Sequence, residues 1–446
     1  MSQILVIKQG NIHNAIQEQP SVADILVVDG KIVEIAEHIE VEEKVQAAEN
    51  MQSGEMQAGD ICRSQAGASA AVQILDATGL DVYPGFVDAH CHIGLDGYGI
   101  GFEGEDFNEM GDPVTPDLSA IDGINPQDVT FEQARSGGVT CVCTGPGSSN
   151  VIGGTFCAIK TYGQRVDDMI VKEKVGMKIA FGENPKNCYK TKGVYSRMSI
   201  AAKLREYLKK ARIYDEKLRA AGCTGGKYSD VSSGTDCPKY SDSPTETDCT
   251  NSQDNIDWSK MPAYDSKLEA LVPVIRREIP LKAHAHRVDD IFTAIRIAKE
   301  FGLKLVIDHT TEGHQIAEEL AKEGFPVSVG PSFGHATKYE LRNKSFETPA
   351  VLAKAGCQVS IITDSPVIEQ RFLNHCVGMA IYNGLDEFAG LQSVTINAAR
   401  HIGIEDRVGS IEVGKDGDFV LVKGNPFALD TTILYTIIDG KIVYRA

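Results

Sequence analysis

The chain has 446 residues, of which 42% are hydrophobic and 24% are charged, a composition typical of an ordinary globular protein. Its 44 basic and 62 acidic residues give a formal net charge of −18, which argues against a nucleic-acid partner or an anionic membrane surface. The length is sufficient for one large domain and one smaller domain.

The cysteines and the apolar runs predict the compartment. Eleven cysteines are scattered without a CxxC pair, which favours reduced thiols. No apolar run is long enough to span a bilayer, and Met1-Ser2-Gln3 leads directly into a strand-like segment rather than a signal peptide. We therefore expect a cytoplasmic protein without a membrane segment.

Both ends of the chain are rich in short β-type runs. The turn signals Asp29-Gly30 and Asp439-Gly440 separate such runs near each terminus. Residues 40–73 are rich in Glu, Gln, Gly and Ser and predict an irregular excursion. We predict that residues 1–82 and 408–446 together form a small β-sandwich domain.

Between them, residues 83–407 alternate strand-like and helical runs. The eight strand-like runs fall at 82–92, 139–144, 155–161, 176–181, 281–286, 303–309, 326–329 and 359–364. Helical runs fall at 196–219, 289–301, 313–323 and 348–354, with Asp289 and Thr348 as expected N-caps and Gly302, Gly324 and Gly356 as expected stops. Strands spaced by helices predict parallel βαβ units, and eight units predict a TIM-type (β/α)8 barrel.

One segment interrupts this alternation. Residues 222–262 are rich in Ser, Thr, Asp and Gly and predict a mobile surface insertion. The spacing of Cys223, Cys237 and Cys249 does not match a zinc knuckle.

The first barrel strand ends in a His-x-His pair. Side chains on a strand alternate between faces, so Asp88, His90 and His92 are expected to point the same way. Two imidazoles on one face can reach a single metal ion, although the pair alone is equally consistent with a polar strand end.

Four further strands end in polar side chains. One polar strand end is common by chance. Five of them, all at the edge where a barrel places its active site, together indicate a functional site. The candidates are His90 and His92, Glu183, His284 and His286, His309, and Asp364.

These motifs resemble the metal-dependent amidohydrolase superfamily, which includes urease, dihydroorotase, imidazolonepropionase and N-acetylglucosamine-6-phosphate deacetylase. Residues 84–92 are similar to the first-strand motif of the family, and residues 397–400 followed by 409–418 resemble its return to the β-sandwich. Imidazolonepropionase-related hydrolases are the branch to which the similarity is greatest. The resemblance covers nearly the whole chain except the segments near 40–73 and 222–262.

The resemblance implies a divalent metal, with Zn²⁺ first and Fe, Mn or Ni as alternatives. Such an ion lowers the pKa of bound water to about 7, so that hydroxide is available at neutral pH. Asp364 is then expected to act as general base and acid, while His309 and the metal polarise the carbonyl. No Gly-x-Ser-x-Gly elbow occurs, which disfavours an acyl-enzyme.

The number of ions is left open by the sequence. Relatives with two metals often use a carboxylated lysine on the fourth strand, and some use a glutamate. On the two-ion reading, His90, His92 and Asp364 hold one ion, His284 and His309 hold the other, and Glu183 bridges them. On the one-ion reading, His90, His92, His284 and Asp364 form the site.

Several residues have two interpretations each. His286, Lys186 and His335 are candidate substrate contacts, and polar strand-end or loop roles are their alternatives. Lys160 ends the third strand, and we expect a snorkelling surface lysine there rather than a carboxylated ligand.

Three functions are consistent with the pattern. The first is hydrolysis of an amide carbon–nitrogen bond in a small-molecule substrate, and the second is deamination of a ring amidine with one metal. The third is a non-catalytic binding protein, which the intact strand-end residues disfavour. We also expect a homo-oligomer.

Overall fold

The computed structural model describes residues 3–40, 71–97, 101–223 and 256–446. Most of the predicted excursion at 40–73 and most of the predicted insertion at 222–262 lie outside the described residues. No helix in the described ranges combines the length and apolarity needed to cross a bilayer.

The described chain contains sixteen strands, which form two eight-stranded sheets. The strands are β1 Gln3–Ile12, β2 Ser21–Val28, β3 Lys31–Ala36, β4 Ala71–Asp76, β5 Asp81–Pro84, β6 Phe86–Cys91, β7 Val139–Thr144, β8 Ile152–Lys160, β9 Ile170–Ala180, β10 Leu281–Ala285, β11 Leu305–His309, β12 Val327–Val329, β13 Val359–Ile361, β14 Phe419–Val422, β15 Ile433–Ile438 and β16 Lys441–Arg445.

Eleven α-helices accompany these strands in the described ranges. They are α1 Val129–Ser136, α2 Val166–Met169, α3 Glu183–Cys188, α4 Arg197–Ala220, α5 Ser266–Ile275, α6 Val288–Phe301, α7 Ala317–Glu323, α8 Thr348–Lys354, α9 Leu373–Tyr382, α10 Glu387–Ser393 and α11 Ile396–Ile402.

The first sheet draws strands from both ends of the chain. Its order is β16-β15-β14-β5-β1-β2-β3, and β4 also pairs with β1. Apolar side chains from both termini, including Ile7, Val82 and Phe419, pack into one buried cluster. The two ends therefore depend on each other, while the β-sandwich and its exact boundaries stay predictions.

The second sheet is a nearly closed barrel with the order β13-β12-β11-β10-β9-β8-β7-β6. Its ends meet where His92 N–H donates to Ser365 O at 2.8 Å and Asp364 N–H donates to His90 O at 3.3 Å. The predicted TIM-type barrel is confirmed, and each of the eight predicted strand-like runs contributes a strand to it.

One barrel strand runs against the prediction of eight parallel units. β8 is antiparallel to both β7 and β9. Residues 145–151 alone connect β7 to β8, whereas a parallel crossover needs a dozen residues or more. The C-terminal end of β8 consequently lies at the opposite end of the barrel from the C-terminal ends of its neighbours.

The predicted first strand at 82–92 is two strands. β5 belongs to the first sheet and β6 to the barrel, and they separate at Gly85. A Cβ atom at Gly85 would lie 2.1 Å from Thr140 Oγ1, so the close passage against β7 requires glycine. The first sheet thus extends two residues beyond the predicted boundary at residue 82.

Helix ends agree only in part with the predicted caps. Gly302 and Gly324 are left-handed C-caps, as expected. The N-cap predictions are wrong, because α6 begins after Arg287 and α8 after Glu347. Asp289 instead lies in the first turn of α6, where its negative charge interacts favourably with the helix dipole.

Lys160 is a buried ion-pair residue, so the snorkelling interpretation is wrong. Its Nζ lies 2.6 Å from Asp418 Oδ2, 3.0 Å from Asp416 Oδ2 and 3.3 Å from Asp439 Oδ1. Because β8 is antiparallel, its last residue faces these carboxylates near β14 and β15 rather than the strand ends that carry the histidines. This ion-pair group ties the barrel to the first sheet.

Lys160→Met should lower the free energy of unfolding by about 3–5 kcal/mol, because it leaves the buried carboxylate of Asp418 without its cation. Urea unfolding followed by circular dichroism measures the change. Lys209→Met, at an exposed position of α4, is the matched control and should leave the midpoint within error. Equal midpoints for the two variants would show that the ion-pair group is not stabilising.

Candidate metal centre

Asp364 lies against His90 of β6 and against His92, which directly follows that strand. Its Oδ1 is 3.5 Å from His90 Nε2 and 3.3 Å from His92 Nε2. The contacts bridge the first and eighth barrel strands, where the barrel closes. Asp88 also links β6 to the segment that carries Asp364. Its Oδ2 accepts hydrogen bonds from Thr363 Oγ1 and Gln370 Nε2, both at 2.6 Å.

Hydrogen bonds on the far side of each ring fix the histidine tautomers. His92 Nδ1 lies 2.7 Å from Gly145 O, and His309 Nδ1 lies 2.8 Å from Gly330 O. A carbonyl oxygen only accepts, so both Nδ1 atoms carry the proton and both Nε2 atoms present a lone pair. This is the tautomer that a metal ligand needs.

The buried carboxylate of Asp308, paired with Lys282, orients the ring of His90. Its Nδ1 lies 3.1 Å from Asp308 Oδ2, and Asp308 Oδ1 lies 3.1 Å from Lys282 Nζ. All three side chains are fully buried. The carboxylate therefore holds the Nδ1 proton of His90, and its Nε2 lone pair faces Asp364.

The fifth strand contributes the pair His284 and His286. His284 Nδ1 bonds to Ser148 Oγ at 2.8 Å, and His286 Nδ1 bonds to Thr311 Oγ1 at 2.7 Å. The Nε2 atoms of His284 and His309 are buried and have no hydrogen-bond partner among the described residues. Buried polar atoms are rarely left unsatisfied, so these two indicate a missing partner.

The imidazoles and the carboxylate form two overlapping ligand groups. His90, His309 and Asp364 offer atoms that all lie within 4.8 Å of one another, and so do His284, His286 and His309. Neutral imidazole and carboxylate suit zinc and other first-row divalent ions. The donor set therefore fits a divalent metal, and the shared His309 lies between two possible ion positions.

The protein environment keeps these groups in the forms that bind metal. Burial lowers the pKa of His309 to about 3 and the pKa of His284 well below its usual range. Burial alone would raise the pKa of Asp364, but His309, His90 and His92 bring it well below its usual value. Neutral imidazoles beside an ionised carboxylate are the state that metal binding requires.

The backbone is strained at two of these residues. His309 has φ +75° and Asp364 has φ +55°, a backbone conformation that residues other than glycine seldom adopt. Such strain persists only where the surrounding structure enforces it, and it concentrates at functional sites.

Sequence reasoning missed Lys178 on β9. Its side chain is fully buried, and its Nζ lies 3.4 Å from His90 Nε2. Burial lowers the pKa of this ammonium group to about 8, against the opposing effects of Asp308 and Asp364. The available signal was a lysine inside the apolar run Met177-Lys178-Ile179-Ala180, because a buried lysine needs a reason.

Sequence reasoning also missed Glu340, which lies in a short turn after the seventh barrel strand. This carboxylate is 1% exposed, and its Oε1 lies 3.7 Å from His284 Nε2 and 3.8 Å from His286 Nε2. No periodic pattern surrounds Glu340, and the sequence offered no signal for it.

Three of the predicted site residues are not brought into the metal-ligand groups. Glu183 is partly exposed at the start of α3, and it meets the site only through its N–H, which donates to Glu340 Oε2 at 2.8 Å. Lys186 is partly exposed, and His335 is exposed. Neither Lys186 nor His335 lines the cleft that leads to the histidines.

That cleft has a volume of about 400 Å³ and opens onto His92, His284, His286 and Asp364. Lys338 lines it, and its Nζ lies 2.7 Å from Glu340 Oε1 and 3.1 Å from Asn184 Oδ1. Its size suits a small molecule.

Comparison with known proteins identifies the family of the chain. The model of the amidohydrolase family matches residues 275–443. The crystal structure of an amidohydrolase from Thermotoga maritima MSB8 is similar over 99% of this chain and 100% of that chain, with 37% identity and a TM-score of 0.81. The chain therefore belongs to the metal-dependent amidohydrolase superfamily, as its sequence motifs predicted.

Two curated relatives match over shorter shares of their own length. Amidohydrolase tasK of Hapsidospora irregularis is 26% identical over 391 residues, which are 82% of this chain and 37% of that protein. An imidazolonepropionase of Paracidovorax citrulli is 30% identical over 181 residues, which are 37% of this chain and 41% of that protein. The chain thus spans about two fifths of these relatives.

Replacing both His90 and His92 with Ala should remove at least one equivalent of bound metal while leaving the barrel folded, because a barrel core does not depend on its mouth. Elemental analysis after dialysis against Zn²⁺ measures the first effect, and circular dichroism measures the second. The exposed His335→Ala is the control and should bind metal normally. Normal zinc content in the double variant would contradict the assignment of this site.

Proposed function

We propose that the protein is a metal-dependent hydrolase that cleaves an amide carbon–nitrogen bond in a small-molecule substrate. The observation that carries the proposal is the convergence of His90, His92 and His309 on Asp364 at the C-terminal ends of the barrel strands. The tautomers of His92 and His309 support it, because the carbonyl partners of their Nδ1 atoms leave the Nε2 lone pairs available to a metal ion.

The residues divide the work by position. His90, His92 and Asp364 would hold one divalent ion, and His284 with His309 would hold a second. A divalent ion supplies an acidified water and a Lewis acid for the substrate carbonyl. Zn²⁺ is the leading candidate because imidazole and carboxylate are its common ligands.

Asp364 is the proposed general base and acid. Its pKa lies well below the usual range, so the carboxylate is ionised at neutral pH and accepts a proton from the attacking water. It then returns the proton to the leaving nitrogen. The side chain lines the cleft, so a bound substrate meets it directly.

Lys178 is the residue that we propose bridges the two ions, in place of Glu183. Lys178 Nζ lies 3.4 Å from His90 Nε2. In its ammonium form the side chain would therefore repel a cation bound to that nitrogen. The neutral amine can add CO₂ and release a proton, which converts the side chain into an anionic carbamate. With its pKa lowered to about 8, a substantial fraction of the amine is neutral near that pH.

A second candidate function is deamination of a ring amidine with a single ion. The position of Glu183 outside the ligand groups favours it, because a one-ion site has no need of that carboxylate. The stoichiometry of metal at full activity separates the two functions. The homo-oligomeric state and the cytoplasmic location stay predictions.

Asp364→Asn should reduce kcat by at least about 10²-fold, because it keeps the size of the side chain and removes the base. Screening cyclic amides, N-acyl amino acids and dipeptides with the zinc-loaded protein provides a substrate, and kcat is then compared between the variant and the parent. An unchanged kcat in a variant with full metal content would exclude Asp364 as the proton shuttle.

Carboxylation of Lys178 predicts a dependence on bicarbonate. Metal-stripped protein reloaded with Zn²⁺ should regain severalfold more activity when bicarbonate is present than in CO₂-free buffer. Lys178→Met should lose this response, while Lys186→Met should keep it. Equal recovery of the parent protein in both buffers would contradict the carbamate bridge.

A further inference from the structure

We propose that Glu340 and His286 complete the ligand set of the second ion, together with His284 and His309. This inference rests on the proposed function. It gives His286, a candidate substrate contact in the sequence, the role of a metal ligand, and it adds Glu340, which the sequence did not indicate. The arrangement supplies three imidazoles and one carboxylate, all of them ligand types that zinc takes in proteins.

The first support is the convergence of unsatisfied atoms. His284 Nε2, His309 Nε2 and Glu340 Oε1 are each buried without a hydrogen bond of good geometry among the described residues. The three side chains are between 1% and 2% exposed. The two histidine nitrogens lack a partner among the described residues, and Glu340 Oε1 is paired there with the ammonium of Lys338. A metal cation suits two lone-pair nitrogens and a carboxylate oxygen.

The second support is distance. Two ligands about 2.1 Å from one tetrahedral zinc ion lie roughly 3.4 Å apart. Glu340 Oε1 lies 3.7 Å from His284 Nε2 and 3.8 Å from His286 Nε2. A movement of a few tenths of an ångström would bring these atoms to ligand spacing, whereas the atoms are too far apart for direct hydrogen bonds.

The third support is the way the chain holds the carboxylate in place. Glu340 Oε2 accepts a hydrogen bond from Glu183 N–H at 2.8 Å. A Cβ atom at Gly182, which has φ +84°, would lie 2.3 Å from the same oxygen. The turn between β9 and α3 therefore packs against Glu340, and this orients its other oxygen toward the histidines.

Lys338 has a specific part in this arrangement. Its Nζ lies 2.7 Å from Glu340 Oε1, so its ammonium neutralises the carboxylate that the ion would use. Lys338 thus acts as a tethered cation that competes with the second ion. Its removal should strengthen binding of that ion, because a buried carboxylate without a cation is unfavourable.

Calorimetric titration of Zn²⁺ into metal-stripped, full-length protein tests the inference without an activity measurement. The parent protein should bind two equivalents. Glu340→Gln should keep the first equivalent and weaken the second by at least about 10²-fold, the upper range for losing a partner of a metal ligand. Glu183→Gln is the matched control and should bind two equivalents with parental affinity.

Lys338→Met keeps the test decisive if Glu340→Gln fails to fold, and it should bind the second equivalent more tightly than the parent. Parental affinity for both equivalents in Glu340→Gln, or weaker binding of the second equivalent in Lys338→Met, would overturn this inference and leave the proposed function intact. Saturation of the parent at one equivalent would overturn this inference together with the two-ion arrangement, and would favour the one-ion deaminase. Absence of any zinc binding by the folded parent would instead overturn the proposed function.

Discussion

The structure depends on one constraint, which is that each histidine at the barrel mouth is hydrogen-bonded on the side away from the centre. Gly145 O, Gly330 O and Asp308 receive the Nδ1 protons of His92, His309 and His90. Without these partners the rings could rotate or exchange tautomers, and their Nε2 lone pairs would not converge. The ligand positions are therefore set by the strands and loops around them, before any ion arrives.

The antiparallel strand β8 connects two groups of polar side chains at opposite ends of the barrel. Because β8 reverses direction, its C-terminal Lys160 pairs with carboxylates of the first sheet. The residues that lead into β8 instead lie at the barrel mouth, where Ser148 contacts His284. One reversed strand thus contributes to the candidate metal centre at one end and to the joint with the first sheet at the other.

Much of the barrel and of the site could be predicted from the sequence, because strand ends are local features. His90, His92, His284, His309 and Asp364 each follow an apolar run, and a barrel brings such ends together. The direction of β8 was not predicted, since the strand pattern is the same in either direction; the short connection from β7 was the available signal. Glu340 could not be predicted either, because it reaches the site from an irregular turn through tertiary contacts alone.

The central claim is that the buried histidines and Asp364 form a metal centre. Anomalous diffraction at the zinc absorption edge, from crystals grown with Zn²⁺, tests it most directly. We expect one anomalous-difference peak among His90, His92 and Asp364, and another among His284, His286, His309 and Glu340. Crystals with full zinc occupancy elsewhere on the protein and no peak among these residues would contradict it.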